Sequence, residues 1–279
     1  MAVAPMEGET VPNSLDPRLG PVVATGSRST VHEWLADNIA HRVEPSSAVV
    51  KVPHDATPEG WIRYEAMYTA TIHAAGAPVP QVIELVTVEG RTASVFERIG
   101  GRTMWAEVLA DPDRAELIGK DLAALHAALF LITPPVSLPA QHDRLGCKVR
   151  AAAAILCTKT ADLVGRIPPR TAVGPRLCHG DLHPGNVLLG PLGPVVVDWF
   201  DVSRGDPLGD VARTSLLLGC GKADSVAHLE GGSAGVLRRV HDAYLRAMCA
   251  HLDVGEADVE PWREIEAVAQ LAEWLDPAA

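Results

Sequence analysis

The sequence is poor in aromatic and basic residues, and each shortage narrows the functions that the chain can have. Aromatic residues make up 4% of its 279 positions, and 24 lysines and arginines face 35 aspartates and glutamates, which gives a formal net charge of −11. A protein that holds phosphate backbones needs a basic face, so we expect no nucleic-acid partner. An acidic surface attracts cationic small molecules, although acidity also serves solubility alone.

The chain also lacks a cysteine pattern and a long apolar run. Its five cysteines form neither an even set nor a C-x-x-C pair, which is typical of reduced thiols in a cytoplasmic protein. The longest apolar run, from Leu122 to Ile132, contains His126 and falls short of the roughly 20 residues of a membrane span. The first residues carry Glu7 and Glu9 in place of the basic and apolar segments of a signal peptide. We therefore expect a cytoplasmic monomer or weak dimer without a membrane partner.

Short β-rich runs dominate the first hundred residues, and helical patterns dominate the rest. Strands are predicted at Pro21–Thr25, Val31–Leu35, Ala48–Val52, Val82–Val88 and Thr92–Glu97, with one helix at Pro58–Ala75. Beyond Gly100 and Gly101, helices are predicted at Asp113–Leu131, Arg150–Val164, Leu208–Leu218, Ser233–Leu252 and Trp262–Leu275. Short strands are expected at Val187–Leu189 and Pro194–Val197. This pattern predicts an α+β bilobal protein, with a β-rich N-terminal lobe over 1–99 and an α-rich C-terminal lobe over 100–279.

Residues 177–200 contain acidic and amide side chains at a spacing typical of phosphoryl transfer. That reaction needs a carboxylate to orient the attacking hydroxyl, oxygen ligands for Mg²⁺ and a cation on the phosphates. Asp181 and Asn186 are separated by four residues, as are the base and a metal ligand in a protein-kinase catalytic loop. Asp198 ends an apolar run and supplies a second hard oxygen donor, which suits Mg²⁺. These residues account for the loop better than a zinc site at Cys178, His179 and His183 does.

Three motifs in this region resemble those of the aminoglycoside phosphotransferase and choline kinase-like family. They are His179-Gly-Asp-Leu-His-Pro-Gly-Asn186, Val197-Asp-Trp199 and Gly205-Asp-Pro-Leu-Gly-Asp210. The resemblance implies a protein-kinase-like fold and a small-molecule kinase that uses Asp181 as the catalytic residue. It also implies that Lys51 contacts the nucleotide phosphates and pairs with Glu65 on the following helix. Asp206 and Asp210 would be structural acids that brace the catalytic loop.

The same resemblance assigns nucleotide contacts near the start of the chain. The turn Gly26–Thr30 occupies the phosphate-loop position, where Ser27 and Ser29 would bond phosphate oxygens, although it has one glycine where the full motif has three. The run Phe96–Gly101 resembles the hinge, so the base would meet the carbonyl of Glu97 and the amide of Ile99. Phe96 would lie at the back of the base pocket. ATP is the expected donor, and GTP remains an alternative because the bulk of Phe96 could narrow that slot.

The acceptor stays open between an antibiotic and a metabolite. The first hypothesis is a resistance kinase that modifies a cationic antibiotic, either an aminoglycoside or a cyclic peptide of the capreomycin and viomycin class. Residues 251–279 favour a cation because they hold eight carboxylates against Arg263 alone. Asp201, Glu273 and Asp276 are the candidate substrate contacts.

A metabolic kinase for choline, an amino sugar or homoserine shares every motif. Choline sites favour aromatic cages, and this chain is poor in aromatic residues, although Trp199, Trp262 and Trp274 could contribute. A non-catalytic pseudokinase would lack at least one of the four functional residues. All four are present: Lys51, Asp181, Asn186 and Asp198.

Overall fold

The computed structural model describes residues 16, 18–35, 47–156, 162, 164–168, 174–219 and 233–275, with side chains in the last range given for 235–271. Five antiparallel strands form one sheet in the order β1-β2-β3-β5-β4. They are β1 (Leu19–Thr25), β2 (Ser29–Trp34), β3 (Ala48–Pro53), β4 (Val82–Val88) and β5 (Arg91–Glu97). The predicted strands are therefore confirmed, with boundaries that differ by at most two residues.

The sheet separates an apolar face from a face that packs on one helix. Successive strand residues point to opposite sides, so Val50 and Val95 join a small core while Lys51 and Ser94, which pair across β3 and β5, face the other way. That other face meets helix α1 (Glu59–Ala74), where the Ser94 hydroxyl donates to a helix carbonyl. Helix α1 begins after Pro58, as predicted. The alternation of side chains along β3 thus places Lys51 on the face that packs against helix α1.

Helices form most of the remaining described chain. They are α2 (Met104–Ala110), α3 (Ala115–Leu129), α4 (Gln141–Ile155), α5 (Pro207–Gly219), α6 (Ser233–Leu252) and α7 (Glu256–Leu275). Two short antiparallel pairs lie among them: β6 (Arg176–Cys178) with β9 (Ser203–Gly205), and β7 (Val187–Gly190) with β8 (Gly193–Val196). The α+β arrangement, a sheet followed by a helical region, is confirmed.

Two helices start earlier than the sequence predicts. Helix α4 runs from Gln141 and not from Arg150, because a polar first half conceals its apolar face; Leu145 and Val149 are nevertheless buried. Helix α7 begins six residues before the predicted start at Trp262 and includes Pro261. Helix α2 and the β6–β9 pair were not predicted, since elements of three to seven residues show no clear period.

The connection after β5 holds the sheet against the short hairpin β7–β8. Gly101 has a φ of +128°, and a Cβ there would lie 2.1 Å from the Leu189 carbonyl oxygen, so only glycine fits. The Leu189 amide donates to the Arg102 carbonyl at 2.8 Å, and the Val196 amide donates to the Pro78 carbonyl at 2.7 Å. These contacts place the end of the hairpin beside the sheet and helix α1. Within the described ranges, no helix is long and apolar enough to cross a bilayer.

Candidate active site

Strand β3 and helix α1 bring Lys51 to two carboxylates. Its Nζ lies 2.7 Å from Glu65 Oε1 and 2.9 Å from Asp198 Oδ1. Burial opposes the ammonium charge, but the two carboxylates outweigh it and raise the pKa of Lys51. Burial raises the pKa of Glu65 in spite of the neighbouring ammonium. The predicted Lys51–Glu65 pair is formed, and Lys51 also bridges the sheet to the region beyond β8.

Asp198 occupies a backbone conformation that is uncommon for a residue with a side chain. Its φ is +65°, in the left-handed region that non-glycine residues seldom adopt. The Lys51 ammonium lowers the pKa of this carboxyl, so Asp198 is an anion at neutral pH. The preceding amide, of Val197, donates to the Asn186 carbonyl at 2.9 Å. The two residues predicted to bind a metal therefore lie on adjoining backbone.

Gly180 lets the loop that carries Asp181 approach the segment after Asp198. Its φ is +82°, and a Cβ at this position would lie 2.6 Å from the Asp201 carbonyl oxygen and 2.7 Å from the Asp201 Cβ. Any other residue would be strained and would also clash with backbone. Steric contact with Asp201 therefore explains why a glycine precedes the predicted base.

His179 supports this loop as a neutral ring. Its Nε2 donates to the Val197 carbonyl at 3.1 Å, and its Nδ1 accepts from the Asp181 amide at 3.1 Å. A ring that donates at one nitrogen and accepts at the other is uncharged. Burial agrees with this state because it lowers the pKa of His179. The prediction that His179 is loop scaffolding is confirmed by these contacts.

The loop closes on itself through Asn186 and His183. Asn186 Nδ2 donates to the Asp181 carbonyl at 3.0 Å, which leaves the amide oxygen of Asn186 as the end that can coordinate a cation. His183 Nδ1 accepts from the Gly185 amide at 3.1 Å, within the turn that the sequence predicts around Pro184.

Asp210 braces the loop from below. Its carboxylate accepts from the amides of His179 and Gly180, both at 2.7 Å, and from His126 Nε2 at 2.9 Å. The other ring nitrogen of His126 lies 2.8 Å from the Tyr244 hydroxyl. Burial disfavours the carboxylate, but His126 and the amides lower the pKa of Asp210. The predicted bracing by Asp210 is confirmed, whereas no sequence pattern indicated its contact with His126 on α3 or the contact of His126 with Tyr244 on α6.

Asp206 has a different structural role. Its Oδ1 accepts from the Leu208 amide at 2.9 Å at the start of α5, and its own amide donates to Gln141 Oε1 at 2.8 Å. Asp206 therefore fixes where α5 begins and how α4 meets it.

Arg213 places a positive charge beside the predicted base. Its Nη2 lies 3.3 Å from Asp181 Oδ1, and its Nε donates to the Gly180 carbonyl at 3.2 Å. The guanidinium is almost fully buried, whereas the Asp181 side chain is 29% exposed. Arg213 lies just beyond the Gly205–Asp210 motif on α5, and only its position one helical turn after Asp210 could have signalled this contact.

Asp201, predicted as a substrate contact, is held by two cations of helix α4. Its Oδ1 lies 3.2 Å from Arg144 Nη1 and 2.8 Å from Lys148 Nζ. Burial opposes the charge, but the two cations lower the pKa of Asp201. Arg144 and Lys148 are four residues apart on one helical face, a spacing that would have been informative had the sequence placed α4 correctly.

Arg144 also connects three separate elements. Its Nη2 donates to the Phe200 carbonyl at 3.0 Å and to the Tyr64 hydroxyl at 3.1 Å on helix α1. Its guanidinium lies 5.5 Å from the centre of the Tyr64 ring. Arg144 thereby links α4, the segment after Asp198, and the helix that carries Glu65.

The predicted nucleotide residues lie along the edge between the sheet and the helices. Ser27 is exposed in the β1–β2 turn, and Ser29 is buried at the start of β2. Phe96 is buried in β5, Glu97 ends that strand, and Ile99 packs against the β7–β8 hairpin. Their contacts with a nucleotide remain predictions.

Two of the predicted substrate residues cannot be placed. The side chain of Glu273 on α7 and the whole of Asp276 lie outside the described residues. Two other acids of the segment pair with arginines: Glu264 lies 2.5 Å from Arg166 and Glu260 lies 3.2 Å from Arg263.

Two cavities adjoin helix α4. A cavity of about 30 Å³ lies between α4 and α5, with Gly180 and Asp201 in its wall. A larger cavity of about 660 Å³ lies on a neighbouring face of α4. Its lining residues are His142, Asp143, Gly146, Cys147, Arg150, Val164 and Ile167.

Comparisons with known proteins agree with this geometry. The model of the phosphotransferase enzyme family, APH, matches residues 31–248. An aminoglycoside-3'-phosphotransferase of type VIII is 21% identical with a TM-score of 0.59, covering 91% of this chain and 94% of that one. An amicoumacin kinase, solved in complex with AMP-PNP, Ca²⁺ and Ami, is 13% identical with a TM-score of 0.59, covering 92% of this chain and 81% of that one.

A choline/ethanolamine kinase family protein from Mesorhizobium loti is 15% identical with a TM-score of 0.57, covering 93% of this chain and 80% of that one. At these identities the likeness shows a shared fold. No curated protein sequence matches the chain significantly.

Proposed function

Because the chain belongs to the phosphotransferase enzyme family, we propose that it is an ATP-dependent kinase that transfers a phosphoryl group to a hydroxyl of a small cationic molecule. The observation that carries the proposal is the 2.9 Å ion pair between Lys51 and Asp198. It joins the sheet to the loop region that also holds Asp181 and Asn186. This supports a site in which a cation, two oxygen donors and a carboxylate base act together, as phosphoryl transfer requires.

The nucleotide is proposed to bind between the sheet and the β7–β8 hairpin. Lys51, kept charged by Glu65, would neutralise the phosphates, and the turn with Ser27 and Ser29 would cover them. The base would contact the backbone of Glu97 and Ile99 beside Phe96. ATP is the first candidate, with GTP as the alternative. The amicoumacin kinase of the same fold was solved with an ATP analogue, which supports this part of the proposal.

Magnesium suits the oxygen donors that the loop presents. No group of three or more described histidine, cysteine or carboxylate side chains could hold a metal by itself. Mg²⁺ commonly uses one or two carboxylates together with substrate phosphates, so the Asp198 carboxylate and the Asn186 amide oxygen fit it. When bound, the ion would neutralise charge on the phosphates.

Asp181 is proposed to orient the acceptor hydroxyl and take its proton. The carboxylate is partly exposed on the cleft side and is held by Arg213 at 3.3 Å. A hydrogen-bonded loop fixes its position before the substrate arrives, which lowers the reorganisation needed for in-line attack. The new bond joins the acceptor oxygen to phosphorus, and ADP leaves with the electrons of the broken bond.

A cationic antibiotic is the proposed acceptor, with resistance as the biological result. The net charge of −11 and the acidic C-terminal segment support a cation, and two of the similar structures are kinases of an aminoglycoside and of amicoumacin. Aminoglycosides are the first candidate, and cationic cyclic peptides are the second. The choline alternative loses support because Trp199 and Trp262, candidates for a cage, are buried in the core.

An acceptor screen tests this proposal. The enzyme is incubated with MgATP and aminoglycosides, capreomycin, viomycin, choline, homoserine or an amino sugar, and ADP release is measured. Mass spectrometry then checks each hit for one added phosphate. Phosphorylation of a cationic antibiotic is expected; selective phosphorylation of choline or homoserine would contradict the antibiotic assignment and leave the kinase assignment intact.

A further inference from the structure

Arg28, at the tip of the turn between β1 and β2, places its guanidinium on two aromatic rings. Its Cζ lies 4.9 Å from the centre of the Trp61 ring and 5.2 Å from the centre of the Phe200 ring. The two rings lie 4.7 Å apart. Trp61 belongs to α1 and Phe200 follows β8, so the side chain reaches from the sheet across to the helical region.

Hydrogen bonds from the β3–α1 connection hold the turn that carries Arg28. The Arg28 carbonyl accepts from the His54 amide at 2.8 Å and from the Thr57 hydroxyl at 2.7 Å. The His54 ring donates to the Ser27 carbonyl, with 3.2 Å between Nδ1 and the oxygen. The turn is therefore preorganised by the β3–α1 connection, and its side chains are displayed in a defined direction.

The charge of Arg28 is not neutralised by any described carboxylate. Elsewhere in the sheet region, Arg18 pairs with Asp16 at 2.6 Å and Arg98 pairs with Glu33 at 2.8 Å. Arg28 instead makes cation–π contacts, which hold a guanidinium in place and leave its N–H groups able to bond an anion.

Both rings beneath Arg28 belong to elements of the proposed active site. Phe200 is two residues after Asp198, and Trp61 is one helical turn before Glu65. Asp198 and Glu65 are the two carboxylates that hold Lys51. The guanidinium therefore contacts both elements that supply the carboxylate partners of Lys51.

We propose that Arg28 is a catalytic residue that contacts the terminal phosphate of the bound nucleotide. The inference rests on the proposed kinase function. A planar guanidinium can bond two phosphate oxygens at once, and charge spreads over these oxygens during transfer. As the bond from the terminal phosphorus to the β-phosphate oxygen breaks, Arg28 stabilises the phosphoryl group that moves to the acceptor oxygen, while the acceptor proton passes to Asp181.

A comparison of ATP and ADP binding tests the assignment, because only ATP has the terminal phosphate. The full chain and its Arg28→Met variant are titrated calorimetrically, in Mg²⁺, with ADP and with the non-hydrolysable β,γ-imido analogue of ATP. Arg63→Met is the matched control, since this exposed arginine of α1 pairs with Glu59 on the surface. We expect Arg28→Met to weaken binding of the ATP analogue about tenfold or more and to leave ADP within about twofold, with Arg63→Met unchanged for both.

Each other result overturns the assignment in a distinguishable way. Unchanged affinity for both nucleotides would show that Arg28 touches no phosphate, and an equal loss for both would show that it acts through the shape of the turn. Arg28→Lys keeps the charge and loses the planar fork, so its affinity for the ATP analogue should lie between those of the wild type and Arg28→Met. This variant replaces Arg28→Met in the test if the methionine variant misfolds. If the wild type binds neither nucleotide, nor their guanine counterparts, the kinase function itself is wrong.

Discussion

The catalytic loop at residues 178–186 and helix α4 lie on either side of Asp201, and they use their polar side chains differently. In the loop, the side chains of His179, His183 and Asn186 bond to main-chain atoms of the loop itself or of Val197. In α4, the polar side chains reach other elements: Arg144 and Lys148 bond the Asp201 side chain, and Arg144 also donates to the Phe200 carbonyl. Another face of the helix borders a cavity of about 660 Å³.

We infer that the loop determines the reaction, whereas helix α4 can change with the acceptor. Loop geometry held by contacts inside the loop, and by Asp210 beneath it, depends on few residues elsewhere in the sequence. Side-chain pairs on a helix face change with single substitutions. We therefore expect substitutions in the loop to abolish transfer, and substitutions on α4 to alter its rate or its acceptor preference.

The largest effect is expected from Asp181→Asn, which keeps the size of the side chain and removes the base. Turnover should fall by about 10³-fold, within the range for a lost general base, while ATP affinity stays within about twofold. Turnover is followed by ADP release with a phosphorylated acceptor, and affinity by calorimetry. Asp121→Asn, an exposed position on α3, is the control. Unchanged turnover in Asp181→Asn would remove the central residue from the mechanism.

The next effect concerns the support beneath the loop. Asp210→Asn replaces a buried carboxylate that accepts from two amides and His126, so it should lower the free energy of unfolding by about 3 kcal/mol or more. Urea denaturation measures the loss. Asp113→Asn, at a carboxylate that is 97% exposed, should change stability by less than about 0.5 kcal/mol. Equal effects of the two substitutions would mean that Asp210 does not brace the loop.

A smaller effect is expected on the α4 side. Arg144→Met removes the donors to Asp201, Phe200 and Tyr64 and should lower turnover about tenfold, with Tyr64→Phe costing about 1 kcal/mol of stability or less. Arg144→Lys should not restore the rate, because one ammonium cannot reach three acceptors. Steady-state kinetics with Arg246→Met as an exposed control checks this. Full rescue by lysine would show that charge alone matters at this position.

The smallest effect is a pH dependence that belongs to the loop. The native pKa of His179 lies below its ordinary value of about 6.5, so the unfolded chain takes up a proton first as the pH falls. Stability due to the neutral ring is therefore complete above about pH 6.5 and decreases below it, by at most about 1.4 kcal/mol per pH unit. Urea denaturation between pH 5 and 8 should show a shallower pH dependence for His179→Gln than for the wild type. Identical slopes would contradict the neutral buried ring.

The sequence predicts well which residues of the candidate site lie together, because the main ones are close in the chain. Asp181, Asn186 and Asp198 lie within 18 residues, and their spacing implies the turn and the short strands that bring them together. The lysine of β3 was also predictable, since strand alternation directs it to the face opposite the apolar core. The pairing of Lys51 with Asp198 was not predicted, because it depends on how the hairpin docks beneath the sheet.

The contacts around the loop could not be predicted from local pattern. His126, Tyr244 and Arg144 come from three helices that meet only in the folded protein. In the sequence, His126 interrupts the apolar pattern of α3, and only its contact with the Asp210 carboxylate explains its position. Helix α4 was placed too late because its polar first half masks the period, and the cations that bind Asp201 lie in that half.

The most direct test of the account follows the phosphate itself. The wild-type enzyme, Mg²⁺ and an acceptor identified by the screen are incubated separately with ATP labelled at the terminal phosphate and with ATP labelled at the α-phosphate. If the chain is the proposed kinase, the acceptor gains one phosphate and label from the terminal position only, with one ADP formed per acceptor. Label from the α-phosphate on the acceptor, or ATP consumption that leaves the acceptor unchanged, would contradict it.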